Sequence, residues 1–158
     1  MLDHSQIIDA VVRDYIGVLN RYPDAAGLDF WVSKVEDGSL TLEGVTNAFA
    51  DQAWQNPHFN FGQDVNSSTV VDSHIVSSMY LWSLGRLNDQ AGEAFWAHSG
   101  VTVGQLFNIL LSTPEFIKGT EIAVENWEQQ IAASDPPPTA PGSLILIGHM
   151  PLPDALFV

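Results

Sequence analysis

The chain carries one stretch twice. Asn20-Arg21-Tyr22-Pro23-Asp24-Ala25-Ala26-Gly27-Leu28-Asp29-Phe30-Trp31 returns as Gly85-Arg86-Leu87-Asn88-Asp89-Gln90-Ala91-Gly92-Glu93-Ala94-Phe95-Trp96, with Arg, Asp, Gly, Phe and Trp each 65 positions further on. A duplicated pattern of surface and core residues argues for a packing module used twice, not for one active site.

The residues around each copy read as helices. Ile7, Ile8, Val11, Val12, Tyr15, Ile16 and Leu19 fall at helical spacing behind Asp3 or Ser5 as a cap. Pro23 disfavours helical geometry in Tyr22 and ends that helix. Asp24 then has the place of an N-cap, and Gly27 leaves room in the first turn for another backbone. Leu28, Trp31, Val32 and Val35 make the stripe of the second helix, which stops at Asp37-Gly38-Ser39. Thr41 caps a third, with Val45, Ala48 and Phe49 inward. Trp54 and the Asn56-Pro57-His58-Phe59 turn close the unit.

After a polar connector over 61–69, the plan repeats. Ile75, Val76, Met79, Tyr80 and Leu84 form the long helix, and Asp89 caps the next. Thr102 caps a third that buries Leu106, Ile109 and Leu110. Thr113-Pro114-Glu115-Phe116 mirrors Asn56-Pro57-His58-Phe59. The distance from Trp to the capping Thr is ten residues in the first unit (31 to 41) and six in the second (96 to 102), which predicts a longer loop in the first. A further helix is expected over 117–131, burying Ile122, Val124, Trp127 and Ile131.

In the Arg-x-x-Asp-x-x-Gly-x-x-x-Trp motif, Arg21 and Arg86 brace the turn and Asp24 and Asp89 cap. Gly27 and Gly92 pack closely, and Trp31 and Trp96 fill the core. Nothing in it resembles a calcium loop, which alternates oxygen ligands over about a dozen residues. The five histidines form no metal-binding pair, and there is no cysteine to supply thiolates. No Gly-x-Ser-x-Gly elbow or phosphate-binding glycine loop is present. Catalytic, metal and cofactor sites are therefore not expected, and the reading is of a protein that is not an enzyme.

Charge narrows the partners. A formal net charge of −14 repels phosphate backbones and anionic membrane surfaces, so neither nucleic acid nor membrane is expected. No run approaches the ~18 apolar residues of a membrane span, and Met1-Leu2-Asp3-His4 lacks the basic start of a secretory signal.

The chain continues through Asp135-Pro136-Pro137-Pro138-Thr139-Ala140-Pro141-Gly142, a stiff spacer, into an apolar tail. Leu144, Ile145, Leu146, Ile147, Leu152, Leu156, Phe157 and Val158 are too few to hold a core of their own. The β-branched run at 144–147 has the character of a strand added to a partner's sheet edge.

Tyr80, Leu84, Gly85, Arg86, Asp89, Gly92, Trp96, Ser112, Pro114, Glu115 and Phe116 together form a pattern that resembles a bacterial domain family of unknown function. That family often occurs with RTX-type calcium-binding repeats in secreted and surface proteins, and its signature is similar to the phycobilisome linker domain. The first unit departs from the pattern: Asn20 replaces the glycine, and Asn56 and His58 replace Thr and Glu. The resemblance implies an all-helical fold and a non-catalytic role in assembly or surface attachment. It supplies no catalytic residues, and the calcium repeats themselves are not in this sequence.

The expectation is an all-α chain. Two tandem helical repeats, 1–62 and 70–133, pack into one compact domain, followed by a Pro-rich spacer and arm at 134–158. Its function is expected to be structural. It would be a subunit of a larger assembly, in a phage or phage-like virion (tail, neck, fibre attachment or capsid surface), docked on other subunits through the arm. The alternative is a secreted or cell-surface adhesion module that binds carbohydrate or cations.

Overall fold

The computed structural model describes residues 1–56, 58–59 and 64–133, with side chains through residue 127. All regular elements among these residues are helical, joined by a single antiparallel bridge between Val70 and Thr102.

Helix α1, His4–Asp14, starts in a reciprocal capping box. The Asp3 carboxylate accepts from Gln6 N (2.9 Å), and the Gln6 side chain accepts from Asp3 N (3.0 Å). Ile7, Val11 and Val12 form its buried stripe. At Tyr15 the coil widens into a π-helical turn that runs to Leu19 and ends on Asn20 in the left-handed region, φ 53°. Helix α4, Ser73–Met79, repeats this course. Asp72 caps it, a π-helical turn spans Tyr80–Leu84, and Gly85 ends it at φ 70°. Asn is the non-glycine residue that best tolerates this conformation, which is why it can stand where the second unit has glycine.

The two π turns meet at the centre of the molecule. A π turn leaves carbonyls without an ordinary helical partner, and here other elements supply the donors. Ser83 Oγ donates to the Gly17 carbonyl (2.8 Å) and Asn56 Nδ2 to the Val18 carbonyl (2.9 Å), both in buried surroundings. Gly17 is needed at this crossing, because a Cβ there would lie 2.8 Å from the Phe116 ring and 3.0 Å from Leu111 Cγ.

Short helices wrap each crossing arm. Helix α2 (Ala25–Glu36) is capped by Asp24, α3 (Leu42–Ala50) by Thr41, α5 (Gln90–Ala97) by Asp89 and α6 (Val103–Leu111) by Thr102. Helix α7, Pro114–Ala133, opens with proline at its first position, where the missing N–H costs nothing. Thr113 Oγ1 accepts from Phe116 N (3.2 Å). Helix α7 also lies along the first unit: Arg13 Nε donates to Thr120 Oγ1 (3.2 Å) and Trp127 Nε1 to the Pro23 carbonyl (3.4 Å). The connector before α4 pairs with the loop before α6, through Val71 N to Val101 O (3.0 Å) and Val103 N to Thr69 O (2.8 Å). One contiguous core results, with Ile16, Ile75, Met79, Leu106, Phe107 and Phe116 fully buried.

Several expectations need correction. The first and fourth helices are not uniform α-helices but end in π turns. The extra residues of the first unit lengthen α2 to 12 residues against 8 in α5, and the loops to the capping threonines match in length. The four residues add a turn of helix, not a loop. The last helix begins at Pro114, before Ile117. Ile109 (40% exposed) and Ile122 (71% exposed) face outward, because α6 buries Val103, Leu106, Phe107 and Leu110, and α7 buries Ala123, Val124 and Trp127. Ala48 is only half-buried, and Trp54 stands out from a 3-10 turn, Ala53–Gln55. The side chain of Ile131, and the arm at 134–158 with its eight proposed contact residues, lie outside the described residues.

Candidate functional site

The duplicated motif builds the same corner in each unit. Asp24 Oδ2 accepts from Gly27 N (3.2 Å), and Asp89 Oδ1 from Gly92 N (2.5 Å), so both aspartates are helix caps. Arg21 lies over the Tyr15 ring, 5.6 Å from its centroid, and Arg86 over the Tyr80 ring at 5.1 Å. Trp96 Nε1 donates to the Tyr80 hydroxyl (2.9 Å), and in the first unit Trp31 and Tyr15 line one small cleft. Burial, then the Asp24 charge, pushes the Tyr15 hydroxyl upward, with Arg21 and Trp31 opposing.

Two of the assigned roles change. Trp31 and Trp96 are half-buried and pack against the core from outside it. The Trp96 indole N–H is spent on the Tyr80 hydroxyl at the rim, which keeps one edge near water. Gly27 makes room for a side chain, not a backbone: a Cβ there would sit 2.5 Å from the Tyr15 hydroxyl. Gly92 meets only its own cap, with Asp89 Oδ1 at 3.0 Å.

The corners differ in one respect. Arg86 holds Glu115 in a two-point contact, Nε to Oε1 (2.5 Å) and Nη2 to Oε2 (3.0 Å). That contact holds the Glu115 carboxyl below its usual range and raises Arg86. Arg21 has no carboxylate within ion-pair distance among the described residues. Its guanidinium edges a small cleft of about 40 Å³ lined by Tyr15, Leu19, Trp31, Phe49 and Gln52.

A second feature carries no motif in the sequence. Asp14 is 4% exposed, and its one side-chain hydrogen bond among the described residues joins Thr46 Oγ1 at 2.8 Å. Burial pushes its carboxyl up to about 8, and the Thr46 hydroxyl pulls it back only in part. The neutral acid suits this geometry. It can donate to Thr46 Oγ1 while the hydroxyl proton turns to the Leu42 carbonyl, 3.2 Å away. Asp14 borders a cleft of about 230 Å³ that also touches Arg13, Glu43, Asn108 and Ser112. The available signal was position: Asp14 falls three residues after Val11 and seven after Ile7, on the stripe that otherwise carries apolar residues.

The outer surface is rich in large apolar groups. Phe30 (53%), Phe95 (64%) and Trp54 (70%) are exposed, the first two each edge-on to the neighbouring Trp. Among the described residues no group of three or more His, Asp or Glu is placed to hold a metal, and no helix is long and apolar enough to cross a membrane. Family models, curated proteins and solved structures were compared with the chain, and none matches it.

Proposed function

We propose that this chain is a non-enzymatic interaction module, one subunit of a larger assembly. The observation that carries this reading is the set of large apolar side chains held in water by a well-packed frame, above all Phe30, Trp54, Phe95 and Ile122. We read these groups as points of contact with other proteins, the setting in which large exposed aromatic side chains are most useful. The arm supports the same reading from sequence, since a proline spacer followed by Leu144–Ile147 suits a strap laid on a neighbouring subunit. A phage or phage-like virion remains the setting proposed for it, and the family resemblance, with its assembly role, is part of that proposal. A secreted or surface adhesion module is the alternative setting.

Sedimentation velocity of the full chain beside a variant truncated after residue 135 tests the proposal, with circular dichroism as the folding control. The full chain should sediment as an oligomer and the truncated chain as a folded monomer. A full chain that stays monomeric at every concentration, or a truncated one that assembles equally well, contradicts the arm-docked subunit.

A further inference from the structure

The repeat provides an internal comparison for Asp14. The long helices of the two units run 65 positions apart, so Met79 holds in the second unit the place that Asp14 holds in the first. Each immediately precedes a π turn, Tyr15–Leu19 or Tyr80–Leu84. The helices capped by Thr41 and Thr102 run 61 positions apart, so Thr46 corresponds to Phe107. Met79 and Phe107 are both fully buried. The folding plan therefore accepts apolar side chains at these two places, and it does not impose the carboxyl and hydroxyl of the first unit.

Asp14 and Thr46 are buried all the same, and they join at 2.8 Å. A carboxylate in such surroundings needs a cation or several donors, and here one hydroxyl reaches it. Its described neighbours do not supply the rest. From α1 comes Arg13, whose Nε is held by Thr120 of α7 and which forms no ion pair with Asp14. From α3 comes Glu43, exposed and of the same sign; α6 brings the neutral Asn108 and Ser112, and α7 the apolar Ile117. The protonated acid suits this place, since it donates to Thr46 while Thr46 donates to the Leu42 carbonyl. Ionisation removes that donor and leaves a charge that only water can satisfy. Helix α3 is the element that can yield. It has nine residues, too few to stay helical without packing, and Thr41 and Glu43 at its start are exposed.

We infer that Asp14 and Thr46 form a proton-operated latch between α1 and α3: the protonated pair holds α3 down, and ionisation releases it locally while the second unit stays closed. In the released state Asp14 meets water and titrates as an ordinary carboxylate, whereas burial pushes it up to about 8 in the closed one. Release therefore becomes easier as pH rises between these two values, by up to about tenfold in the opening equilibrium per pH unit, and levels off above them. The first unit responds to pH in this range, and the second, with Met79 and Phe107, does not.

Native-state hydrogen exchange of the full chain, read by mass spectrometry at pH 5, 6 and 7 in low urea, tests the latch. After correction for intrinsic exchange, the amides of α3 should exchange through an opening that urea barely accelerates and that grows about tenfold per pH unit. The amides of α4 should exchange only through urea-dependent global unfolding. Asp14→Asn should flatten the pH dependence of the α3 opening. Asp14→Met should do the same, and because it copies the second unit it serves if the asparagine variant does not fold. The latch is overturned if α3 and α4 exchange through the same urea-dependent event, or if the α3 opening is unchanged between pH 5 and pH 7. It is also overturned if either variant folds and keeps the wild-type slope, because the titrating group is then not Asp14.

Discussion

Asp14 sets the chemistry of one residue against the whole fold. Its carboxyl titrates near the ordinary carboxylate value in the unfolded chain and at about 8 in the folded one. A raised acid favours the folded state only while it is protonated. Below pH 4 it therefore carries no penalty, and from about pH 4 to about pH 8 it costs progressively more, up to an order of 5 kcal/mol. Asp14→Asn keeps the shape and the bond to Thr46 without the charge. Urea midpoints at pH 5 and pH 8 should show the wild type losing stability with rising pH and the variant losing much less. Equal pH dependence in both would mean that Asp14 is not buried as described. Asp24 and Asp89 were legible as caps because a cap is a local matter of one side chain and the next turn. Asp14 was not, because its neighbours Thr46, Leu42 and Asn108 are brought to it by two other helices. Ile109 and Ile122 were misplaced for the same reason: helical spacing assigns them to a stripe, but the neighbouring helices decide which side of that stripe is covered.

At the scale of elements, the π turns decide how the long helices cross. Their freed carbonyls at Gly17 and Val18 take Ser83 and Asn56, and the missing side chain of Gly17 admits Phe116. Gly17→Ala should cost about 1–3 kcal/mol through overpacking, measured as a shift in the urea midpoint. A neutral or stabilising result would show that the ring and Leu111 move aside freely. Thr102→Ala removes the side-chain half of a capping box, the acceptor for Gln105 N, and should cost about 1 kcal/mol in the same measurement. Helix starts were read well from sequence, since Asp24, Thr41, Asp89 and Thr102 each announce one. The π turns left no such mark. The apolar spacing through Tyr15, Ile16 and Leu19 suits an α-helix equally, and only the packing against the opposite turn selects the wider coil. The added turn of α2 was also hidden, because four residues change neither the cap before it nor the glycine after it.

At the scale of the molecule, both units contribute to one core, and α7 ties the second to the first through Thr120 and Trp127. The corners at Arg21 and Arg86 are built alike, except that among the described residues only Arg86 is paired with a carboxylate. Arg86 therefore has a part in holding the frame, through its two-point contact with Glu115. The most direct measurement is urea unfolding of Arg21→Gln and Arg86→Gln side by side at neutral pH. Each variant loses a cation–ring contact, but only Arg86→Gln loses the pair with Glu115. That pair is half-exposed and worth about 1 kcal/mol or less. Arg86→Gln should lose more stability than Arg21→Gln, with the difference shrinking as falling pH protonates Glu115, whose carboxyl lies below its usual range. An equal or larger loss for Arg21→Gln would contradict it, because Arg21 would then be holding the frame as well.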